Sequence, residues 1–341
     1  MRIAVAGAGM AGLVAAARLR QLGCRPRLLE KGNRPGGSML LSSGVVWRHL
    51  EWERFRACCP AGDERLQRLV WEGLDDALRW LESLGAEAVW SDTENPLTKG
   101  RRYRPAALTR LLVEAAGGVE LETPLGAATE PPLLLATGGF AARLARERGL
   151  LLRASRWSEG DGADYAAARG AAFAGRADEF YGRVMPAPPA RVREQDFVPL
   201  AQLYGREARV LSPRGEDVTP ASVAWHENDL AQLVGSFGAE GAWYVVEDTN
   251  ERLEAARAAG ATVVQRRDGT TAVHVVAGVT HTLGGLRCDE QGRVLGGDGE
   301  PLDGLWAAGV DVGGIASGGY ASGLAQALVL GLAAAESVAG R

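Results

Sequence analysis

The chain has 341 residues, of which 46% are hydrophobic and 23% charged, and its formal net charge is −4. These totals are ordinary for a globular protein and argue against nucleic acid or an anionic membrane surface as a partner. The four cysteines form no CxxC pair and the four histidines show no ligand spacing, so we expect no metal site and a cytoplasmic location. We also expect no signal peptide and no membrane span, because the longest apolar run, 324–338, is short and interrupted.

The first thirty residues predict a nucleotide-binding strand–turn–helix–strand unit. An apolar strand over 2–6 leads into glycines in G-x-G-x-x-G spacing, and a helix-forming run follows over 13–22. Gly7 permits the tight turn, Gly9 lets the backbone approach a pyrophosphate, and Gly12 lets the helix pack closely. A second strand, 27–29, ends at Glu30, whose carboxylate can accept hydrogen bonds from ribose hydroxyls. Because a helix N-terminus also attracts phosphate, we predict a bound dinucleotide rather than an ordinary glycine turn.

The next stretch, EKGNRPGGSMLLSSG, favours a flavin over a nicotinamide. A nicotinamide-binding fold would normally continue here with a helix and a strand, whereas this chain places a second glycine–serine loop at 36–44. Such a loop suits a long, extended cofactor that needs close backbone approach and small hydroxyl donors. The sequence contains no second G-x-G-x-x-G. We therefore expect no NAD(P)H domain and an electron-transfer partner that diffuses to the protein.

The remaining elements continue an α/β pattern. Apolar spacing predicts a helix over 63–84, a second helix over 104–116 and a strand at 119–121. Two further segments, LLLATGGFAARL at 133–144 and SEGDGADYAAARGA at 158–171, resemble a strand-and-turn and a helix opening of one flavoprotein family. Residues 182–275 are richer in proline and include a strand–helix–strand pattern in 241–265. Residues 305–309 predict a strand into a glycine turn, and a final helix follows from Leu324.

In this order, the motifs resemble the fumarate reductase/succinate dehydrogenase flavoprotein family, which includes the 3-ketosteroid dehydrogenases. The resemblance also covers the C-terminal segment 280–334, which is similar to the family's return to the FAD domain. It implies an α/β fold with a Rossmann-like FAD-binding domain of the glutathione reductase type and an inserted small α+β capping domain. The implied FAD-binding domain comprises 1–181 and 276–341, and the implied capping domain comprises 182–275.

The fingerprint and the resemblance together predict FAD as the cofactor. We expect FAD to be noncovalent, because no histidine stands after Ser38 at the position that the family uses for covalent attachment. By resemblance, the N-terminus of the last helix faces the flavin and stabilises negative charge on the reduced ring. The predicted cofactor-binding residues are Gly7, Gly9, Ala11, Gly12, Glu30, Lys31, Gly36, Gly37, Ser38, Ser42, Ser43, Gly44, Ala136, Thr137, Gly138, Asp161, Gly309, Asp311, Ser322, Gly323 and Leu324.

His281 and Tyr320 are the predicted catalytic residues. Enzymes of the resembled family move a hydride between flavin N5 and a carbon and exchange a proton at the adjacent carbon. This chemistry needs an acid/base and a group that polarises a carbonyl. His281 precedes the turn 282–285, one position later than the family's histidine, and Tyr320 lies where the family has an arginine. The missing arginine argues against a small dicarboxylate substrate, and Trp47 and Arg48 are further candidates for the substrate side.

We therefore expect an FAD-dependent oxidoreductase that acts on a C–C bond conjugated to a carbonyl in a small-molecule substrate. Two alternatives stay open from the sequence. One is a flavin oxidase or hydroxylase that uses O2, and the other is a flavoprotein paralogue without catalytic activity.

Overall fold

Helices and strands alternate along most of the chain in the computed structural model, which describes residues 1–340 except 92, 94, 127, 202–204 and 249–251. The helices are α1 (Met10–Gln21), α2 (Trp52–Cys58), α3 (Glu64–Ser83), α4 (Pro105–Ala116), α5 (Ala141–Glu147), α6 (Asp161–Ala167), α7 (Phe197–Leu200), α8 (Asn228–Ser236), α9 (Arg252–Ala258) and α10 (Gly323–Val338). The strands are β1 (Arg2–Ala6), β2 (Arg25–Leu29), β3 (Val45–His49), β4 (Ala88–Trp90), β5 (Thr98–Tyr103), β6 (Leu133–Leu135), β7 (Leu151–Leu152), β8 (Phe173–Ala174), β9 (Phe180–Pro186), β10 (Arg209–Leu211), β11 (Ala242–Glu247), β12 (Val263–Gln265), β13 (Thr270–Thr282), β14 (Gly285–Leu286), β15 (Arg293–Leu295) and β16 (Pro301–Ala307).

The chain divides into two units. Unit 1 comprises Met1–Phe140, Ser155–Glu179 and His281–Arg341, and unit 2 comprises Ala141–Ala154 and Phe180–Thr280. The segment 141–154, which the sequence assigns to the FAD-binding domain, belongs instead to unit 2. The physical reason is that β7 pairs in parallel with β13 of the unit 2 sheet. The two other boundaries lie at 179/180 and 280/281, whereas the sequence places them at 181/182 and 275/276.

Unit 1 contains a five-stranded sheet in the order β15-β16-β6-β1-β2. β1 is parallel to β2 and β6, β6 is parallel to β16, and β15 is antiparallel to β16. β6 is an unbroken run of buried leucines, as expected of a central parallel strand that is covered on both faces. α1 packs against α4 and α10, and these helices carry much of the apolar core of unit 1. The predicted α/β class is confirmed.

Local predictions in unit 1 succeed where spacing is strongly periodic. The helix predicted over 63–84 is α3, and its N-cap residue Asp63 accepts hydrogen bonds from the N–H groups of Arg65 and Leu66. The strand predicted at 119–121 is wrong, because Glu120 forms only an isolated bridge with Leu29. Glu122 has a φ of 53°, a left-handed conformation that ends the extended run.

Unit 2 contains a separate sheet in the order β10-β11-β13-β12, and β7 and β9 also pair with β13. The predicted strand–helix–strand pattern is confirmed as β11, α9 and β12. Residues 249–251 of that segment lie outside the described residues. Within the described parts of both units, none of the helices combines the length and the apolar character that crossing a bilayer requires.

Candidate cofactor and catalytic site

The N-terminal turn of unit 1 has one open position among its three glycines. Gly7 has a φ of +102°, and a methyl group there would lie 2.1 Å from the carbonyl oxygen of Ala136. A methyl group on Gly12 would lie 1.9 Å from the carbonyl oxygen of Gly7. At Gly9, by contrast, an added methyl group would meet nothing within 4 Å. Gly9 is also the N-cap of α1, and no side chain caps this helix, so its first N–H groups suit an anion.

Glu30 lies at the end of β2, beside this turn. Its side chain is 8% exposed and accepts hydrogen bonds from the backbone N–H groups of Ala8, at 2.8 Å, and Gly32, at 2.7 Å. These two bonds fix the carboxylate while leaving acceptor capacity on its oxygens. The predicted bond to a ribose hydroxyl is therefore compatible with this arrangement.

The glycine–serine loop closes on the first turn. The N–H of Gly36 donates to the carbonyl of Ala8 at 2.8 Å. A methyl group on Gly37 would lie 3.2 Å from Cα of Gly9. Gly36 and Gly37 have φ values of 106° and 50°, which glycine adopts without a Cβ clash. The two predicted cofactor loops therefore lie side by side.

The serines of this loop make local hydrogen bonds. Ser38 Oγ accepts from the backbone N–H of Ser155 at 3.0 Å. Ser42 Oγ accepts from the N–H of Gly44 at 3.0 Å, and Ser43 between them is half-buried. The Ser38 hydroxyl, which accepts this bond, can still donate its own proton, whereas the Ser42 hydroxyl already donates to the Met39 carbonyl at 2.7 Å. A role for these hydroxyls in FAD binding stays a prediction.

The turn after β6 meets the N-terminus of α6. Lys31 Nζ lies 2.9 Å from a carboxylate oxygen of Asp161, the first residue of α6. The N–H of Gly162 donates to Thr137 Oγ1 at 3.1 Å. Gly138 completes the turn with a φ of 89°. Residues that the sequence predicts from three separate motifs therefore lie along one edge of the parallel sheet.

Asp311 holds this turn from the opposite end of the chain. Its carboxylate is 2% exposed and accepts hydrogen bonds from the N–H and Oγ1 of Thr137 and, at 2.8 Å, from the N–H of Gly139. Burial raises the pKa of Asp311, and the bonds from Gly139 and Thr137 act in the opposite direction. Both oxygens are engaged by the turn and hold it in place, and a contact of Asp311 with the cofactor stays a prediction. Nearby, a methyl group on Gly309 would lie 2.9 Å from Cβ of Ala11, which places these two predicted residues in a helix-packing contact.

The N-terminus of α10 lies beside His281. Ser322 caps the helix by accepting from the N–H of Ala325 at 3.2 Å. Gly323 is the first helical residue, and a methyl group there would lie 3.1 Å from Cε1 of the His281 ring. Leu324 follows and is half-buried. The imidazole therefore packs on the positive end of the helix dipole.

Tyr320 belongs to an aromatic cluster with Trp47 and His49. The rings of Trp47 and Tyr320 lie 5.2 Å apart, and those of Trp47 and His49 also lie 5.2 Å apart. The backbone N–H of Trp47 reaches Ser322 Oγ at 3.5 Å. Tyr320, Trp47, His281 and the start of α10 are thus brought into one neighbourhood.

Arg48 does not extend toward this neighbourhood. Its guanidinium lies 4.6 Å from the ring centroid of Trp71, and its Nη2 donates to Asp75 at 3.2 Å. Although burial acts to raise it, the bonds from Lys99 and Arg48 hold the pKa of Asp75 below its usual value. The interpretation of Arg48 as a substrate-side residue is therefore corrected: the alternation of β3 turns it toward α3.

Sequence reasoning missed His49, which shares a face of β3 with Trp47. A two-residue spacing puts both side chains on the same side of a strand, and this signal was available in the sequence Trp-Arg-His. A single histidine in an apolar stretch carries no ligand pattern, so the sequence alone does not mark His49 as functional.

Unit 2 contains a partly buried ion pair that the sequence did not single out. Arg183 Nη1 lies 2.7 Å from Glu227, and Arg183 Nε donates to the hydroxyl of Tyr181 at 3.1 Å. Glu227 has a φ of 55°, which is unusual for a residue other than glycine. Burial raises the pKa of Tyr244 well above its usual value, and the charge of Glu227 adds to the effect.

Solved structures similar to this chain include a fumarate reductase and two ketosteroid dehydrogenases. The open conformation of a flavocytochrome c3 fumarate reductase has a TM-score of 0.73 and 17% identity, covering 99% of this chain and 78% of that chain. The 3-ketosteroid-Δ4-(5α)-dehydrogenase from Rhodococcus jostii RHA1, in complex with 4-androstene-3,17-dione, has a TM-score of 0.71 and 19% identity, with 99% and 96% covered. The 3-ketosteroid Δ1-dehydrogenase from Sterolibacterium denitrificans, in complex with 1,4-androstadiene-3,17-dione, has a TM-score of 0.71 and 14% identity, with 99% and 99% covered. At these identities the likeness shows the fold, and no curated protein sequence matches the chain.

The parallel sheet, the glycine turn and the uncapped helix N-terminus define a Rossmann-like dinucleotide-binding protein. Consistently, residues 5–43 match the family described as NAD(P)-binding Rossmann-like domain. Residues 109–323, more than half of the chain, match the family described as FAD binding domain, and the chain belongs to that family. Its cofactor is FAD and it is an FAD-dependent oxidoreductase, which confirms the prediction from the sequence. The open position at Gly9 and the uncapped start of α1 fit the pyrophosphate of this cofactor.

Proposed function

We propose that this protein holds FAD noncovalently and oxidises or reduces a C–C bond conjugated to a carbonyl. The names of the similar solved structures give fumarate and 3-ketosteroids as the compounds on which those enzymes act. Both compound classes carry a carbonyl near the reacting carbons. The proposal transfers only this shared chemistry to the present chain.

One observation carries the proposal: His281 and Tyr320 approach the same helix N-terminus. His281 packs on Gly323, and Tyr320 precedes that residue by three positions in a turn beside Trp47. The reaction requires a group that exchanges a proton and a group that polarises a carbonyl, and an imidazole and a phenol can fill these two roles.

A neutral carbonyl compound suits this neighbourhood better than a dicarboxylate. A dicarboxylate calls for guanidinium groups that can bind its oxygens in pairs. Arg48, the cation closest in sequence to Trp47, is engaged by Asp75 and Trp71. Trp47, His49 and Tyr320 instead offer aromatic surface.

In the proposed mechanism, side chains of the protein exchange the proton and polarise the substrate carbonyl. FAD, when bound, supplies the hydride-transfer chemistry. His281 holds or accepts the proton exchanged at the carbon next to the hydride position. The Tyr320 hydroxyl donates a hydrogen bond to the substrate carbonyl and so stabilises negative charge on its oxygen. A separate electron donor or acceptor completes the cycle.

The test measures substrate-dependent change of flavin absorbance under anaerobic conditions, with a cyclic enone and its saturated ketone as probes. His281→Ala and Tyr320→Phe should each slow this change at least about a hundredfold, while the flavin content of the purified protein stays unchanged. His274→Gln is the matched control, because His274 lies in unit 2, stacked on Trp243 at 4.9 Å. Full turnover in both variants would overturn the assignment of the site.

A further inference from the structure

His49 is buried at the end of β3 in a rigid setting. Its side chain is 1% exposed, and its ring stacks on Phe55 with centroids 5.3 Å apart. The indole N–H of Trp71 donates to the His49 carbonyl at 2.9 Å, and Arg48 Nη1 donates to the same oxygen at 3.0 Å. Both the ring and the backbone of His49 are therefore fixed by neighbours from α2 and α3.

The imidazole of His49 reaches the backbone of Tyr320. Its Nε2 lies 3.3 Å from the Tyr320 carbonyl oxygen. Because a carbonyl oxygen only accepts, this bond requires the proton on Nε2. The thiol of Cys58 approaches the same oxygen at 3.5 Å. Two donors from the segment 49–58 thus converge on one peptide group, 262 or more positions away in the chain.

The conformation of Tyr320 needs such support because its own segment is permissive. Gly318 and Gly319 precede it, and Gly318 has a φ of 86°. Glycine leaves the backbone with little preference of its own. The direction of the phenol therefore depends on contacts made by the Tyr320 peptide and ring, and a displacement of about 1 Å at a catalytic group can be costly.

We propose that His49 is a positioning residue for the Tyr320 phenol and acts through the Nε2–H bond to the Tyr320 carbonyl. The inference rests on the proposed role of Tyr320 in polarising the substrate carbonyl. His49 fixes the peptide, Trp47 contacts the ring, and the hydroxyl is held in one direction for the substrate.

The decisive comparison uses two amides of different reach in the FAD-loaded enzyme. In His49→Gln, the amide nitrogen can occupy the place of Nε2 and donate to the Tyr320 carbonyl. In His49→Asn, the same amide is one methylene shorter and ends near the place of Nδ1. We expect kcat within about threefold of the parent for His49→Gln and at least about tenfold lower for His49→Asn. Because polarity is equal in the two variants, a merely structural role for the ring would affect both alike.

A double-mutant cycle with Tyr320→Phe tests whether His49 acts through the phenol. His49→Asn should lower kcat in the parent enzyme but cause no further loss in the Tyr320→Phe background. Equal losses in both backgrounds, or equal kcat for His49→Gln and His49→Asn, would overturn the role of His49. If Tyr320→Phe alone has full activity, the proposed function of Tyr320 fails instead. Flavin content and near-ultraviolet circular dichroism of each variant check that the fold is retained. Cys58→Ala in the His49→Gln background removes the second donor to the Tyr320 carbonyl and so weakens the same contact by another route.

Discussion

The two glycine-rich regions of unit 1 look alike in sequence, but only the N-terminal region contains a glycine that faces open space. In the N-terminal turn, 7–12, an added methyl group would clash at Gly7 and Gly12 but would meet nothing at Gly9. In the C-terminal loop, 313–323, a methyl group on Gly319 would lie 1.7 Å from the Cys58 carbonyl oxygen. A methyl group on Gly323 would lie 3.1 Å from the His281 ring.

This difference separates glycines that leave room for a ligand from glycines that let protein segments touch. Gly9 lies next to an uncapped helix start and open space, which fits a bound pyrophosphate. Gly319 lets the loop that carries Tyr320 press against the end of α2, and the thiol of Cys58 then reaches the Tyr320 carbonyl. The C-terminal glycines thus serve, through packing, the geometry of the neighbourhood that we propose to be catalytic.

The largest expected effect comes from Gly319→Ala. The clash is with a backbone oxygen, which cannot rotate away, so we expect the free energy of unfolding to fall by about 3 kcal/mol in urea titrations. Gly297→Ala is the control, because a methyl group there would meet nothing within 4 Å. Similar unfolding midpoints for the two variants would remove the packing explanation of the C-terminal loop.

Gly9→Ala should separate cofactor binding from stability. Gly9 has a φ of −74°, which alanine adopts readily, so the unfolding midpoint without FAD should match that of Gly297→Ala. FAD affinity, measured by quenching of flavin fluorescence, should fall at least about tenfold, which corresponds to about 1.4 kcal/mol. Unchanged FAD affinity would show that the open position at Gly9 is not the place of the pyrophosphate.

Asp311→Asn should change the pH dependence of stability, since Asp311 joins the C-terminal region to the turn after β6. Burial raises the folded-state pKa of Asp311, so the folded protein binds a proton more tightly there than the unfolded chain does. Its stabilising contribution is therefore complete below the unfolded pKa, near 3.9, and is lost as the pH rises through the folded pKa. Relative to Asp311→Asn, the parent should lose up to about 1.4 kcal/mol for each pH unit across that window.

Urea unfolding at several pH values between 3 and 7 would measure this difference. Because all other titrating groups are common to both proteins, the difference isolates Asp311. The expectation would be contradicted if the free energies of unfolding of the two proteins changed in parallel with pH. It would also be contradicted if the parent became more stable relative to Asp311→Asn as the pH rises.

Much of the cofactor region follows from local spacing. The turn 7–12, Glu30 at the end of β2 and the helices α3 and α4 could be predicted because neighbouring residues in the chain determine them. The prediction of a short strand at 119–121 was wrong, because three residues carry too little periodicity to outweigh the left-handed conformation at Glu122.

The proposed catalytic neighbourhood could be predicted only in part. His281 and Tyr320 were singled out by their position relative to glycine motifs, whereas His49 and the direction of Arg48 were not. The direction of the Arg48 side chain is set by its contacts with Asp75 and Trp71. Both residues lie on α3, and the sequence does not show what this helix packs against.

By itself, the sequence determined the α/β class and the dinucleotide fingerprint, because both depend on residue types at short, fixed spacings. Its resemblance to a flavoprotein family, carried by motifs in a fixed order, added FAD as the predicted cofactor. Only the tertiary structure decided that segment 141–154 belongs to unit 2, that Asp311 holds the turn at Thr137 and that His49 meets the Tyr320 carbonyl. The physical reason is that these contacts join residues more than a hundred positions apart, and local periodicity specifies the face of an element without specifying what packs against it.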